Sequence, residues 1–190
     1  EIGDSVAIFG AGPIGLMLAQ WSKAWGAENV MLVDIEYGKI RFAREQGFEL
    51  VWNSKDGDPA EWISRVTAGR GADIAVEGAG VSSTLEQCLK CVRVFGKIVA
   101  MGNPAGEMKL SQKAYWELLR KQLTISGTWN SSYASLPKND WTLALGAMDK
   151  GKISVKPYIT HRAGLEQANE VLAMMRDRTE FFNKVMFVMD

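Results

Sequence analysis

Cysteine and histidine are nearly missing from this chain, with two of the first and one of the second in 190 residues. A disulfide scaffold needs more cysteine, and a self-contained zinc site needs four ligands, or three and a water, so neither is expected. Low cysteine usage fits a reducing, cytoplasmic setting. Net charge is missing as well, because 22 basic residues meet 22 acidic ones. Nothing electrostatic therefore draws the chain to nucleic acid or to an anionic membrane. Internal repeats, low-complexity tracts and long linkers are lacking. The longest uncharged run, residues 5–22, has the length of a membrane span but carries Gly10, Gly12, Pro13 and Gly15 in close succession. No basic stretch precedes it, so neither a spanning helix nor a signal peptide is expected. The chain begins at Glu1 and not at methionine, which sets the expectation of a piece taken from a longer protein.

What is present is apolar residue at 47%, enough for a substantial core. Strand-length apolar runs alternate with amphipathic stretches of helix length. Strands are predicted at 5–9 (SVAIF), 30–34 (VMLVD), near 50–53, and at 73–77, 97–101 and 123–127. Helices are predicted between them at 14–25, 38–46, from Pro59, at 83–94 and at 112–121. Continuous Val/Ile/Leu runs mark strands buried on both faces. Repeated strand–helix–strand units then argue for an α/β fold with a doubly wound, parallel, six-stranded sheet. After about Asn130 the pattern changes to a polar loop, a helix at 141–150, a short apolar piece at 158–160, a helix at 165–176 and a strand at 184–189. This tail is too small to fold alone and needs a surface to lie on.

The sharpest motif is Gly10-Ala11-Gly12-Pro13-Ile14-Gly15, a GxGxxG directly after a strand and opening a helix. Gly10 allows the tight turn, Gly12 lets the backbone approach a pyrophosphate, and Gly15 lets the helix pack close to the strand. The helix start offers unpaired N–H groups to phosphate. The second strand ends in Asp34, where a ribose-binding acid is expected about 20 residues past the motif. A carboxylate there accepts from the ribose hydroxyls and repels a 2′-phosphate, which favours NAD over NADP. Lys39, Arg41 and Arg44 are the residues that would support an NADP reading, or they form an ordinary solvated helix face. Ligands bind outside the carboxyl ends of such strands. Small residues at Glu77-Gly78-Ala79-Gly80, Met101-Gly102-Asn103-Pro104 and Gly127-Thr128 leave room for a dinucleotide there. Glu77 has two open readings, orienting part of the site or satisfying loop amides, with the second preferred.

Other features carry less. Cys88 and Cys91 fall inside a predicted helix and read as small buried residues, since a redox pair would sit at a helix start. His161 and the tryptophans Trp21, Trp25 and Trp62 read as structural. For Trp129 and Tyr133, in the polar loop, facing a substrate or partner and simple packing both stay open.

These residues resemble the zinc-dependent medium-chain alcohol and polyol dehydrogenases. The resemblance runs through GDSVAIFGAGPIGLMLAQ, VDIEYGKIRFAREQGF, ADIAVEGAG, GKIVAMGNP and YITHRAGLEQANEVLAMM, and LLRKQLTISGTWN is similar to the galactitol-1-phosphate and sorbitol dehydrogenase branch. The resemblance implies a Rossmann-type NAD(P)-binding domain over residues 1–156 and a segment, 157–190, that returns to an absent GroES-like catalytic domain. It implies adenosine ribose binding by Asp34 with its neighbour Ile35 and Lys39, and Ile14 packed near the nicotinamide. Backbone around Met101, Gly102 and Asn103 and around Gly127 and Thr128 would hold that ring, with Ala79 and Gly80 beside it. Pairing of the sheet edge from Leu123 to Gly127 with a second copy, giving a homodimer or tetramer, is a further implication. The family's zinc ligands and proton relay are not in this sequence. The chain itself is expected to bind NAD and to hold no catalytic residue and no metal, with zinc and a polyol or sugar-phosphate substrate belonging to the full-length enzyme. The alternatives are an NADP-linked, zinc-free reductase of the quinone oxidoreductase type and a non-catalytic nucleotide-binding sensor module.

Overall fold

The computed structural model describes residues 1–131 and 139–189. In chain order, β1 (Ser5–Phe9), α1 (Pro13–Ala24), β2 (Asn29–Asp34), α2 (Tyr37–Glu45), β3 (Val51–Asn53), α3 (Pro59–Val66), β4 (Ala72–Glu77), α4 (Ser82–Cys91), β5 (Val92–Ala100), α5 (Gln112–Arg120) and β6 (Thr124–Gly127) alternate without exception. The six strands form one parallel sheet in the order β3-β2-β1-β4-β5-β6. This is the doubly wound, Rossmann-type sheet expected from the sequence. The order reverses direction between β1 and β4, and ligand crevices of such sheets open at that point.

The period-two alternation of each strand divides the core. Val6 and Ile8 join Leu16, Ala19, Ile40 and Ala43 under α1 and α2. Ala7 and Phe9 join Ile63, Cys88, Leu89 and Ala114 under α3, α4 and α5. All five residues of β1 are buried, as befits the central strand.

Beyond the sheet come α6 (Asp140–Asp149), β7 (Ile159–Ala163), α7 (Ala168–Asp177) and β8 (Lys184–Phe187), with β7 and β8 forming a separate parallel pair. Part of this tail lies on the first core layer. Tyr158 is buried within it, its hydroxyl donates to the Leu16 carbonyl at 3.3 Å, and Phe181 packs against Phe42 at 5.4 Å between ring centres. The rest stays open, with Leu165, Leu172, Met186, Val188 and Met189 exposed. Among the described residues, no helix is long and apolar enough to cross a membrane.

Several element bounds differ from expectation. The helix predicted to reach residue 94 stops at Cys91, and β5 starts at once with Val92, pairing Val92 with Ala72 before a register shift toward Ile74 and Lys97. The β-branched residues Val92 and Val94 favour extension. Phe95, at φ 59, makes the kink that puts Gly96 back into the sheet. The predicted helix 165–176 opens with a 3₁₀ turn over Leu165–Gln167, a common helix start.

That kink is pinned by Asp73, whose side chain is 5% exposed. Its carboxylate accepts from the Ser5 amide at 2.8 Å and from the guanidinium groups of Arg70 and Arg93. Burial pushes this carboxyl up, but the Ser5 amide and the two arginines outweigh it and hold it below the ordinary range. A group depressed in the folded state stabilises the fold above its unfolded pKa, ~3.9, and that contribution fades as pH falls through this value toward the lower folded one. In urea titrations Asp73→Asn is expected to lose about 1–3 kcal/mol at pH 7, with the gap to wild type constant down to about pH 5 and shrinking below about pH 4.

Candidate functional site

A cleft of about 670 Å³ opens where β1 and β4 part, within the size range of small-molecule sites. Its floor is the turn after β1. Gly10 takes φ +115 and donates its amide to the Val33 carbonyl at 2.8 Å, turning the chain sharply out of the sheet. Gly15 sits so close to that turn that a Cβ would lie 1.9 Å from the Gly10 carbonyl oxygen. Gly12 is different. It has ordinary φ −77, and a Cβ there would meet no atom of the chain within 4 Å. Nothing in the fold itself demands its missing side chain, whereas a group seated in the cleft against this turn would. Gly12 precedes α1 as its cap, Pro13 occupies the first turn, and no side chain caps the helix among the described residues. The amides at the start of α1 are thus left for a ligand.

One wall comes from the end of β2. Asp34 Oδ2 accepts the Ala11 amide at 2.9 Å and Oδ1 accepts the Glu36 amide at 2.9 Å. Each oxygen keeps a further acceptor position. Lys39 Nζ stands 3.6 Å from Asp34 and 2.9 Å from Glu36. Ile35, 57% exposed, supplies an apolar face beside them. The opposite wall is the end of β4. Glu77, 2% exposed, accepts at Oε1 from the amides of Ala79 and Gly80, both at 2.9 Å, and from the Thr84 hydroxyl at 2.6 Å. Oε1 is thus spent on shaping the loop, in line with the structural reading. Met101, Gly102 and Asn103, after β5, complete that side. A Cβ on Gly102 would lie 2.2 Å from the Gly80 nitrogen, so the two loops interlock.

Of the residues singled out from the sequence, Gly10, Gly12, Pro13, Ile14, Gly15, Asp34, Ile35, Lys39, Ala79, Met101, Gly102 and Asn103 all line this one cleft. Gly80 lies packed behind the wall. Gly127 and Thr128 do not line the cleft; they end β6, where the Thr128 amide donates to the Ala100 carbonyl at 3.1 Å. Sequence reasoning missed Val81, Ser83, Thr84 and Gln87, brought in by the start of α4, and Arg178 from the far end of the chain. The first four follow a flagged strand end and were within reach of it; nothing local signals Arg178.

The other candidates stand apart. Cys88 and Cys91 are buried in α4, with burial pushing the Cys91 thiol up to about 12 and raising that of Cys88 as well. Such thiols are not nucleophiles. His161, on β7, contacts Thr160 Oγ1 at 2.9 Å and Glu180 at 3.3 Å. Trp129 is 74% exposed, and Tyr133 lies outside the described residues. Among the described residues, no three His, Cys, Asp or Glu side chains gather as a metal-holding group.

Comparison with known proteins places these features. A family model described as zinc-binding dehydrogenase matches residues 13–150. The chain is 29% identical over 162 residues to the galactitol 1-phosphate 5-dehydrogenase of Escherichia coli strain K12, covering 85% of this chain and 47% of that protein. It is 30% identical over 172 residues to the D-xylulose reductase A of Aspergillus oryzae, covering 88% and 46%. The crystal structure of galactitol-1-phosphate dehydrogenase from Escherichia coli superposes with a TM-score of 0.87 at 26% identity, over 99% of this chain and 54% of that one. The chain spans about half the length of the curated relatives it matches.

The two glycines of the turn separate packing from binding. Gly15→Ala is expected to lower the thermal midpoint by well over 5 °C or to abolish folding, because backbone cannot yield the missing space. Gly12→Ala is expected to melt within about 2 °C of wild type, as scanning calorimetry of both variants will show.

Proposed function

The chain belongs to the zinc-binding dehydrogenase family, and from that premise we propose that it is the coenzyme-binding part of an NAD-dependent oxidoreductase that moves a hydride between NAD and a polyol or sugar-alcohol phosphate. The observation that carries this reading is Gly12, whose missing side chain faces open cleft beside the uncapped start of α1. A diphosphate laid there receives the first-turn amides and the positive end of the helix. Asp34, held by Ala11 and Glu36 with an acceptor position free on each oxygen, takes the two hydroxyls of the adenosine ribose. Ile35 covers one side of the adenine. At the other end, Ile14, 61% exposed, and the backbone of Met101, Gly102 and Asn103 orient the nicotinamide.

In this reading residues 1–156 bind and aim the coenzyme, while 157–190 connect to a second domain. The substrate alkoxide and the zinc that polarises it when bound belong to residues outside this chain. Galactitol 1-phosphate, a polyol phosphate, and D-xylulose, a ketose that hydride addition turns into a polyol, are named for the relatives and support a small polyol or its phosphate as the substrate class. The partner is a second copy of the chain. All four residues of β6 are exposed although it is a sheet edge, and Ile125, Trp129 and Trp141 lie open nearby in sequence. An uncovered apolar edge is a liability that strand pairing removes.

Titration with NADH, followed by nicotinamide fluorescence, is expected to saturate. Gly12→Ala should weaken it about tenfold or more through crowding at the diphosphate. Asp34→Asn should weaken it about 10-fold to 100-fold and narrow the preference over NADPH. Full NADH affinity in Gly12→Ala would remove the diphosphate from this turn, and preference of wild type for NADPH would favour the NADP-linked reductase. Sedimentation is expected to give a dimer or tetramer for wild type and, for Ile125→Lys, a smaller species of unchanged fold.

A further inference from the structure

The far end of the chain reaches the cleft at one residue. Arg178 ends α7 in the left-handed region, at φ 51 and ψ 43, and turns the chain back toward α2. Three residues on, Phe181 settles against Gly38 so closely that a Cβ there would lie 2.9 Å from the ring, and it packs on Phe42. Asn183 then donates its amide to Thr160 Oγ1 at 3.0 Å and its side chain to the buried Tyr158 carbonyl at 3.1 Å. The segment is thus fastened just beyond the turn, which places Arg178 at the ribose end of the cleft. Its Nη1 lies 3.5 Å from Glu36 Oε1, the same oxygen that Lys39 holds at 2.9 Å.

Four charges therefore meet where the adenosine ribose would lie, Asp34 and Glu36 against Lys39 and Arg178. Lys39 touches both acids. Among the described residues Arg178 pairs only with Glu36, through one long contact, and its side chain is 75% exposed. Such a pair adds little to stability, so the guanidinium is free to turn toward a new anion. A 2′-phosphate brings about two negative charges at neutral pH and would land beside Asp34, where Arg178 is the more loosely paired cation.

We propose that Arg178 is a coenzyme-selecting residue: the C-terminal segment sets the charge at the adenosine end of the cleft and softens the discrimination that Asp34 imposes against a 2′-phosphate. The proposal rests on the coenzyme reading above. Its test is the ratio of NADPH to NADH dissociation constants. Arg178→Gln should raise that ratio roughly threefold to tenfold, almost wholly by weakening NADPH, with NADH changed less than about twofold. Arg178→Lys should stay near wild type. Glu36→Gln should lower the ratio, because one competing carboxylate is gone. Each difference should shrink at high salt, as exposed charges are screened. An unchanged ratio in Arg178→Gln, or equal weakening of both coenzymes, overturns the proposal while leaving the coenzyme reading intact. Failure of wild type to bind either coenzyme overturns both.

Discussion

The hydrogen bond from the Ala11 amide to Asp34 Oδ2 is the joint on which the cleft depends. It ties the turn after β1 to the end of β2 and fixes the direction in which α1 leaves the sheet. It also freezes the carboxylate, because Oδ1 is held by the Glu36 amide. A carboxylate gripped on both oxygens loses little rotamer freedom when a ligand arrives, and preorganisation of this kind lowers the entropy cost of binding.

The same device appears on the other side of β1. Glu77 ends β4 as Asp34 ends β2, and it too accepts the amide two residues on, that of Ala79, along with Gly80. Two acid-terminated strands flank the central one and bend their following loops into the two walls. They differ in what remains. Asp34 keeps an acceptor position on each oxygen and faces the cleft, whereas Glu77 Oε1 is saturated by three donors, Thr84 being the third. The interlock of Gly80 with Gly102 then passes the position of the β4 loop to the β5 loop, so the Met101–Asn103 end of the cleft inherits its shape from Glu77.

Much of this was legible in the sequence because it is local. The GxGxxG turn, the acid at the end of β2 and the small residues after each strand are decided by neighbours a few residues away, and the buried parallel strands betray themselves as apolar runs. What escaped was decided at a distance. The early start of β5 at Val92 follows local β-branching, but it is also pinned by Arg93 bonding Asp73 on the neighbouring strand, and the helical periodicity before it gives no hint of that contact. Gly127 and Thr128 were placed by analogy with the other strand ends. Yet β6 is the edge strand, two positions from the switch point, and its end stands off the cleft wall. Arg178 was invisible because its position is set by how Phe181 meets Gly38.

Gly38 explains why the tail lies where it does. Glycine inside a helix costs roughly 0.5–1 kcal/mol relative to alanine, and α2 is only nine residues long, so a glycine there needs a reason. The reason is steric, since a methyl group would collide with the Phe181 ring. Removing that methyl lets the ring settle over α2 beside Phe42, and with Tyr158 this gives the tail two aromatic anchors on the first core layer. The apolar residues left exposed on β8 and α7 show that this docking covers only one side of the tail. The segment is held by α2 on one side and leaves its other side open. Through Phe181 the tail is thereby seated on the first turn of α2, which carries Lys39 and directly follows Glu36, next to Asp34.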